Sequence, residues 1–237
     1  PQGMDVKTGR NQTKPPHCES RKNFYDWLAT EIDINGVVSV ERDTEFDDNK
    51  YRSGGIRLHY ESVTGQIKGL KEGILLETGF DDVTPNKPVN ISSWAYDHAA
   101  GVDVVIVDNR ALNVACYHPG YTLVEKLQTL STKYRKQRET GAFPRNFMRH
   151  YYDIYCLLQY PEVTVFIATP EYMAHKEKRF RGGDNPVISE NEAFLLSDPD
   201  IKMEYERAYE ETGSLYYKGQ PTFEQIMARI KQHVDHL

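Results

Sequence analysis

Cysteine is scarce in this chain: Cys18, Cys116 and Cys156 are the only three in 237 residues. They are scattered, odd in number and lack CxxC spacing. That argues against a disulfide framework or a zinc site, and for reduced thiols in a cytoplasm. Long apolar runs are lacking too. No stretch approaches a membrane span and no signal-peptide pattern opens the sequence, so no membrane association is expected. An excess of positive charge is also missing. The formal net charge is −6, which does not suit a nucleic-acid binder that uses its whole surface. There is no internal repeat and no low-complexity stretch.

What is present describes one or two globular domains. Apolar residues make up 39% and charged residues 27%, enough to bury a core. Residues 20–34 have helical spacing, with Phe24, Trp27, Leu28 and Ile32 on one side. From 37 to about 115 the texture is that of strands. Ile56-Arg57-Leu58-His59-Tyr60-Glu61 alternates apolar and polar, and Gly73 to Gly79 is short, apolar and bounded by glycines. Val102 to Val107 (VDVVIV) reads as another buried strand, and Pro85-Asn86-Lys87-Pro88 as a turn. Asp43, Asp47 and Asp48 read as solvated loop charges. After this region, helices are predicted near 122–138, 145–159, 170–180, 199–212 and 222–236. The expected fold is α+β, a mixed sheet over 1–116 followed by a helical bundle over 117–237.

Two helices carry charges that their amphipathic patterns do not require. Thr122 and Glu125 have the spacing of a capping box, which would put Lys126 in the first or second turn. Leu123, Leu127, Leu130 and Tyr134 form the buried stripe, with Lys126 on its flank. In the next helix Phe147, Tyr151, Ile154 and Leu158 form the stripe, while Arg149, His150 and Asp153 fall on another face. A lysine near an aspartate suits phosphoryl-transfer chemistry, where the protein mostly positions groups and neutralises charge. It is equally an ordinary ion pair, and Arg149 with Asp153 is a plain i,i+4 pair worth a few tenths of a kcal/mol.

Four stretches together resemble the AbiEii/AbiGii toxin family of nucleotidyltransferases: YRSGGIRLHYES at 51–62, LKEGILLETGF at 70–80, YTLVEKLQTL at 121–130 and RHYYDIYCLL at 149–158. The last two look like the family's third and fourth motifs. The resemblance implies a polymerase-β-like core, Mg²⁺ as cofactor, an NTP, an RNA acceptor such as transfer RNA, and a cognate antitoxin. By the same resemblance Lys126 looks like the motif lysine on nucleotide phosphates and Asp153 like the motif aspartate of the helical half. Arg149 and His150 are further nucleotide-binding candidates, with a structural role as the alternative for His150. Glu77, alone in apolar LLETG, is the candidate strand carboxylate and metal ligand. Its alternative is a strand-end glutamate at the solvent edge. The family's GGT loop and D-x-D pair are not found in the chain. Gly54-Gly55 is not followed by D-x-D, and Asp5 is at most a degenerate remnant and second metal candidate. Those motifs are expected either upstream of Pro1 or lost.

Basic residues cluster locally. Lys133, Arg135, Lys136 and Arg138, with Arg145 and Arg149 beyond, could hold a phosphate backbone, as could Lys176, Lys178, Arg179 and Arg181. Both runs are equally consistent with solvated helix faces. Three functions compete: a nucleotidyltransferase toxin, a non-catalytic interaction fold with a degenerate site, and a metal-dependent nuclease using Glu77. The nuclease is weakest, because Thr78-Gly79 follows Glu77 without the lysine of an E-x-K pattern.

Overall fold

The computed structural model describes residues 13–63, 65, 71–80, 85–102, 104–144, 146–180, 182–216 and 219–237. The chain forms two compact units, Pro1–Val83 and Thr84–Leu237. The class is α+β, with strands in two small antiparallel sheets rather than one mixed sheet.

In the first unit, helix α1 (Pro15–Glu31) lies beside a three-stranded sheet of β1 (Ser39–Arg42), β2 (Ser53–His59) and β3 (Ile74–Gly79), in that order. The expected alternation along β2 is not seen, because the central strand is covered on both faces and is buried from Gly54 to Leu58. The two glycines of the strand permit this. A Cβ on Gly54 would stand 2.7 Å from the Tyr25 ring of α1, and one on Gly55 would stand 2.6 Å from the Asp43 carbonyl. Glycines inside a strand mark such close approaches.

Asp43 is the main correction to the sequence reading in this unit. It is buried, not a solvated loop charge. Its carboxylate accepts hydrogen bonds from Arg57 at 2.7 and 3.0 Å and from Lys71 at 2.9 Å. Arg57 sits on the same strand face as Gly55, over the Phe46 ring. A charge removed from water needs such a partner. Asp48, also read as solvated, accepts from the Arg52 guanidinium at 2.7 Å, and Asp47 pairs with Arg42 at 2.6 Å.

The second unit begins with the antiparallel pair β4 (Asn86–Ile91) and β5 (Ala111–Tyr117), linked through α2 (Trp94–Ala100). Pro85-Asn86-Lys87-Pro88 thus enters a strand in place of the predicted turn. Pro88 is tolerated because each strand of a two-stranded sheet has an open edge. Val102–Val107 is a second correction: its described residues form no strand and are exposed, Val105 fully. High β propensity does not make a strand where no neighbour offers a ladder.

The helices are α3 (Pro119–Thr140), α4 (Arg149–Leu157), α5 (Pro161–Phe166), α6 (Pro170–Arg179), α7 (Glu192–Leu195), α8 (Pro199–Glu210) and α9 (Phe223–Lys231). The sequence reading missed α2, α5 and α7, which are too short to show a period. Both predicted apolar stripes are in the core, except that Tyr134 is partly buried. They meet Tyr205, Phe223, Ile226 and Ile230. The Tyr151 hydroxyl donates to the Ala193 carbonyl at 2.7 Å.

Helix α3 does not start at Thr122. His118 is the N-cap, with Nδ1 accepting from the Gly120 amide at 3.1 Å and Pro119 opening the first turn. The capping box instead occurs at Thr222 and Gln225 of α9. Gly120 is needed for packing, since a Cβ there would overlap the Phe166 ring. In a helix, Gly→Ala gains up to about 1 kcal/mol, while overpacking costs about 1–3 kcal/mol. Gly120→Ala is therefore expected to destabilise the protein, and an unchanged or raised denaturation midpoint would contradict this packing.

Candidate functional site

The early start of α3 sets the position of Lys126. It lies in the third turn, later than the sequence reading placed it, on a segment held by the buried residues Leu123, Val124 and Leu127. On α4, Tyr151 and Ile154 are fully buried, so Asp153 projects from the side of that helix. The two charges meet: Lys126 Nζ donates to Asp153 Oδ2 at 2.7 Å. Asp153 is thus engaged across helices, and the pair with Arg149 one turn away is not the contact made. The Lys126 and Asp153 side chains remain 30% and 26% exposed. One ammonium has three donors, so Lys126 can bind Asp153 and still face a ligand.

Further groups complete the site. His150 Nδ1 stands 3.6 Å from Asp153 Oδ2, beyond hydrogen-bond length, and has no hydrogen-bond partner although buried. Burial, aided by the charges of Lys126 and Lys133, holds the His150 imidazole below its usual value. It is therefore neutral at neutral pH. For Asp153, burial acts upward, but the hydrogen bond and charge of Lys126 hold the carboxyl below the ordinary range. Asp153 is ionised. Lys133 lies seven residues after Lys126 and so on the same helix face. Burial lowers its ammonium value, and the charges of Arg149, Lys126 and Lys136 add to that effect. Arg149 is exposed at the start of α4. Lys126, Lys133 and Arg149 thus act on one another as a cationic group, in which Lys126 holds the Asp153 carboxylate. The seven-residue spacing was a signal in the sequence that Lys133 belongs with Lys126.

A family model described as "Nucleotidyl transferase AbiEii toxin, Type IV TA system" matches residues 8–229. The chain belongs to this AbiEii family. Comparison with curated proteins and with solved structures found no match. The AbiEii family comprises nucleotidyltransferase toxins of a toxin–antitoxin system, which implies a nucleotide substrate and an antitoxin partner. Among the described residues no helix is long and apolar enough to cross a membrane.

Glu77 belongs to the first unit, exposed on β3 opposite Gly55. Asp5 lies outside the described residues, as do Arg145 and Arg181. In the first basic run, Arg135 is bound to Asp184 at 2.9 Å and to Glu139 at 3.2 Å. Arg138 is 4.0 Å from Glu204, and Lys136 is exposed. In the second run, Lys176 is buried with its ammonium on the Leu237 carbonyl at 2.7 Å. Arg179 pairs with Glu125 at 2.6 Å.

Nucleotidyltransferases generally use a divalent metal. Among the described residues, no three His, Cys, Asp or Glu side chains converge to hold one. Asp153 is a single carboxylate bound to the Lys126 ammonium, whereas magnesium requires a near-octahedral set of oxygens. The residues around Asp153 do not by themselves fit such an ion.

Proposed function

We propose that the chain transfers a nucleotide from an NTP to an RNA acceptor, with transfer RNA the first acceptor to test, and that Lys126 contacts the triphosphate. The observation that carries this reading is the Lys126–Asp153 contact at the centre of the cationic group on α3 and α4. In such a transfer an acceptor hydroxyl attacks the α-phosphorus, the bond to the bridging oxygen breaks, and pyrophosphate leaves. Negative charge gathers on the leaving oxygens, and fixed cations lower its energy. Asp153 acts as a positioning residue: it holds the flexible lysine chain without consuming all its donors. Arg149 offers a planar fork for phosphate oxygens. Neutral His150 can donate or accept one hydrogen bond. Lys136, exposed on α3, would carry the RNA backbone more than Arg135 and Arg138, whose guanidiniums already attract carboxylates, and Lys133 would add its charge to the same helix. A cytoplasmic location goes with this reading, since both NTP and transfer RNA are found there.

The incomplete metal donor set favours a second reading, a non-catalytic fold that binds its antitoxin or another protein through a degenerate site. One assay separates the two. Purified protein is given each labelled NTP, mixed transfer RNA and a divalent metal. The first reading expects label on the RNA. Toxicity in cells without label from any NTP would leave the second.

A further inference from the structure

One face of α4 is not used by the Lys126–Asp153 site. Tyr152, Tyr155 and Cys156 lie on it at helical spacing and, with Gln159 just beyond the helix, line a cavity of about 620 Å³ whose other side is lined by Gly219, Gln220 and Pro221. That volume is within the range of small-molecule sites, roughly 300–1,000 Å³. Both tyrosine rings of its wall have further partners. Tyr216 lies against Tyr152 with centroids 4.5 Å apart, and the Arg229 guanidinium lies 5.8 Å from the centre of the Tyr155 ring. Between these contacts, Tyr152 and Tyr155 are 6.5 Å apart and 32° from parallel. The two rings are tilted neighbours along one helix, and both line the cavity.

We infer that this cavity receives the nucleobase of a nucleotide, stacked on the Tyr155 ring beside Tyr152. The ligand class rests on the nucleotidyltransferase reading; the aromatic lining of the cavity does not. Tyrosine faces hold bases without regard to sequence, because every base has a π-face. The site also adjoins the cations. Arg149 precedes Tyr152 by three residues and Asp153 precedes Cys156 by three, a spacing that puts side chains about 5–6 Å apart on a helix surface. A nucleotide with its base in the cavity could thus extend its phosphate toward Arg149 and Lys126. The base comes either from the NTP or from a single-stranded end of the acceptor RNA.

Two binding measurements on the full chain distinguish these sources. Calorimetry follows each NTP, and anisotropy follows a short unstructured labelled RNA. Tyr155→Leu keeps apolar volume against the core but removes the ring. It is expected to weaken one of the two ligands about tenfold or more, while Tyr155→Phe stays within about twofold of the wild type. The affected arm names the source. Should the Leu variant fail to fold, the wild type still decides between RNA and the same RNA made abasic, which is expected to bind about tenfold more weakly if RNA is the source; NTP binding that depends on the base decides the other arm. The inference is overturned if Tyr155→Leu changes neither arm, if Tyr155→Phe loses as much as Tyr155→Leu, or if wild-type protein binds neither ligand in a base-dependent way. Base-dependent binding without any transfer would keep the cavity and remove the transferase reading. Transfer indifferent to Tyr155→Leu would remove the cavity alone.

Discussion

Lys126→Ala is expected to reduce nucleotide transfer by about 10²–10³-fold while leaving the fold intact. The rate loss follows from deleting one preorganised cation aimed at developing phosphate charge, an effect of about 3–4 kcal/mol in comparable sites. The stability loss is far smaller. The pair with Asp153 is about a quarter to a third exposed, and such pairs contribute roughly 0–1 kcal/mol. For a unit of this size that shifts the melting temperature by about 2–4 °C at most. The two measurements must therefore diverge: label transfer collapses and the melting curve hardly moves. Lys126→Arg should recover part of the activity, because charge is kept but a compact ammonium becomes a planar fork. A purified Lys126→Ala protein that transfers label at nearly the wild-type rate would remove Lys126 from the chemistry.

In the first unit, Asp43→Ala should be among the most damaging single changes, at about 3–5 kcal/mol. The Arg57 side chain is 5% exposed, and the variant leaves its guanidinium buried without its carboxylate. Urea unfolding should show the loss as a lowered midpoint. The double variant Asp43→Ala/Arg57→Leu should regain much of it, because an apolar side chain carries no unpaid desolvation. A pH series supplies an independent check. Burial raises the Asp43 carboxyl, but the hydrogen bonds from Lys71 and Arg57 outweigh it, so the folded value lies below the ordinary 3.8. A depressed carboxyl contributes stability that is whole above the unfolded value and lost as pH falls through the folded one. The gap between wild type and Asp43→Ala should thus be constant near neutrality and shrink in strong acid. A neutral-pH difference below about 1 kcal/mol would mean that the buried pair carries little of the stability.

Much of this was legible in the linear chain. The α+β class followed from strand texture giving way to helical periods. The five longer helices of the second half, and both stripes centred on Leu127 and Ile154, were read from apolar spacing alone, since a long amphipathic helix repeats its signal over several turns. The family was recognisable from four short stretches in order, and the match to residues 8–229 agrees. Helix starts were less legible. Thr122 and Glu125 have the pattern of a cap, but the chain had already turned helical at Pro119, and a local motif cannot report what precedes it.

The errors share one cause. Val102–Val107 has the composition of a buried strand, yet composition does not supply a neighbouring strand to pair with. Asp43 looks like any loop aspartate until β2 brings Arg57 beside it. Asp153 has a ready i,i+4 partner in Arg149, and instead takes Lys126 from another helix, because packing of the two leucine- and tyrosine-rich stripes sets α3 against α4 with those flanks together. Periodicity, composition and family belong to the sequence by itself, because they are local or additive properties of the chain. Which charge meets which, and which apolar segment is covered, only the tertiary structure decided, because those contacts join residues far apart in sequence and depend on how whole elements pack.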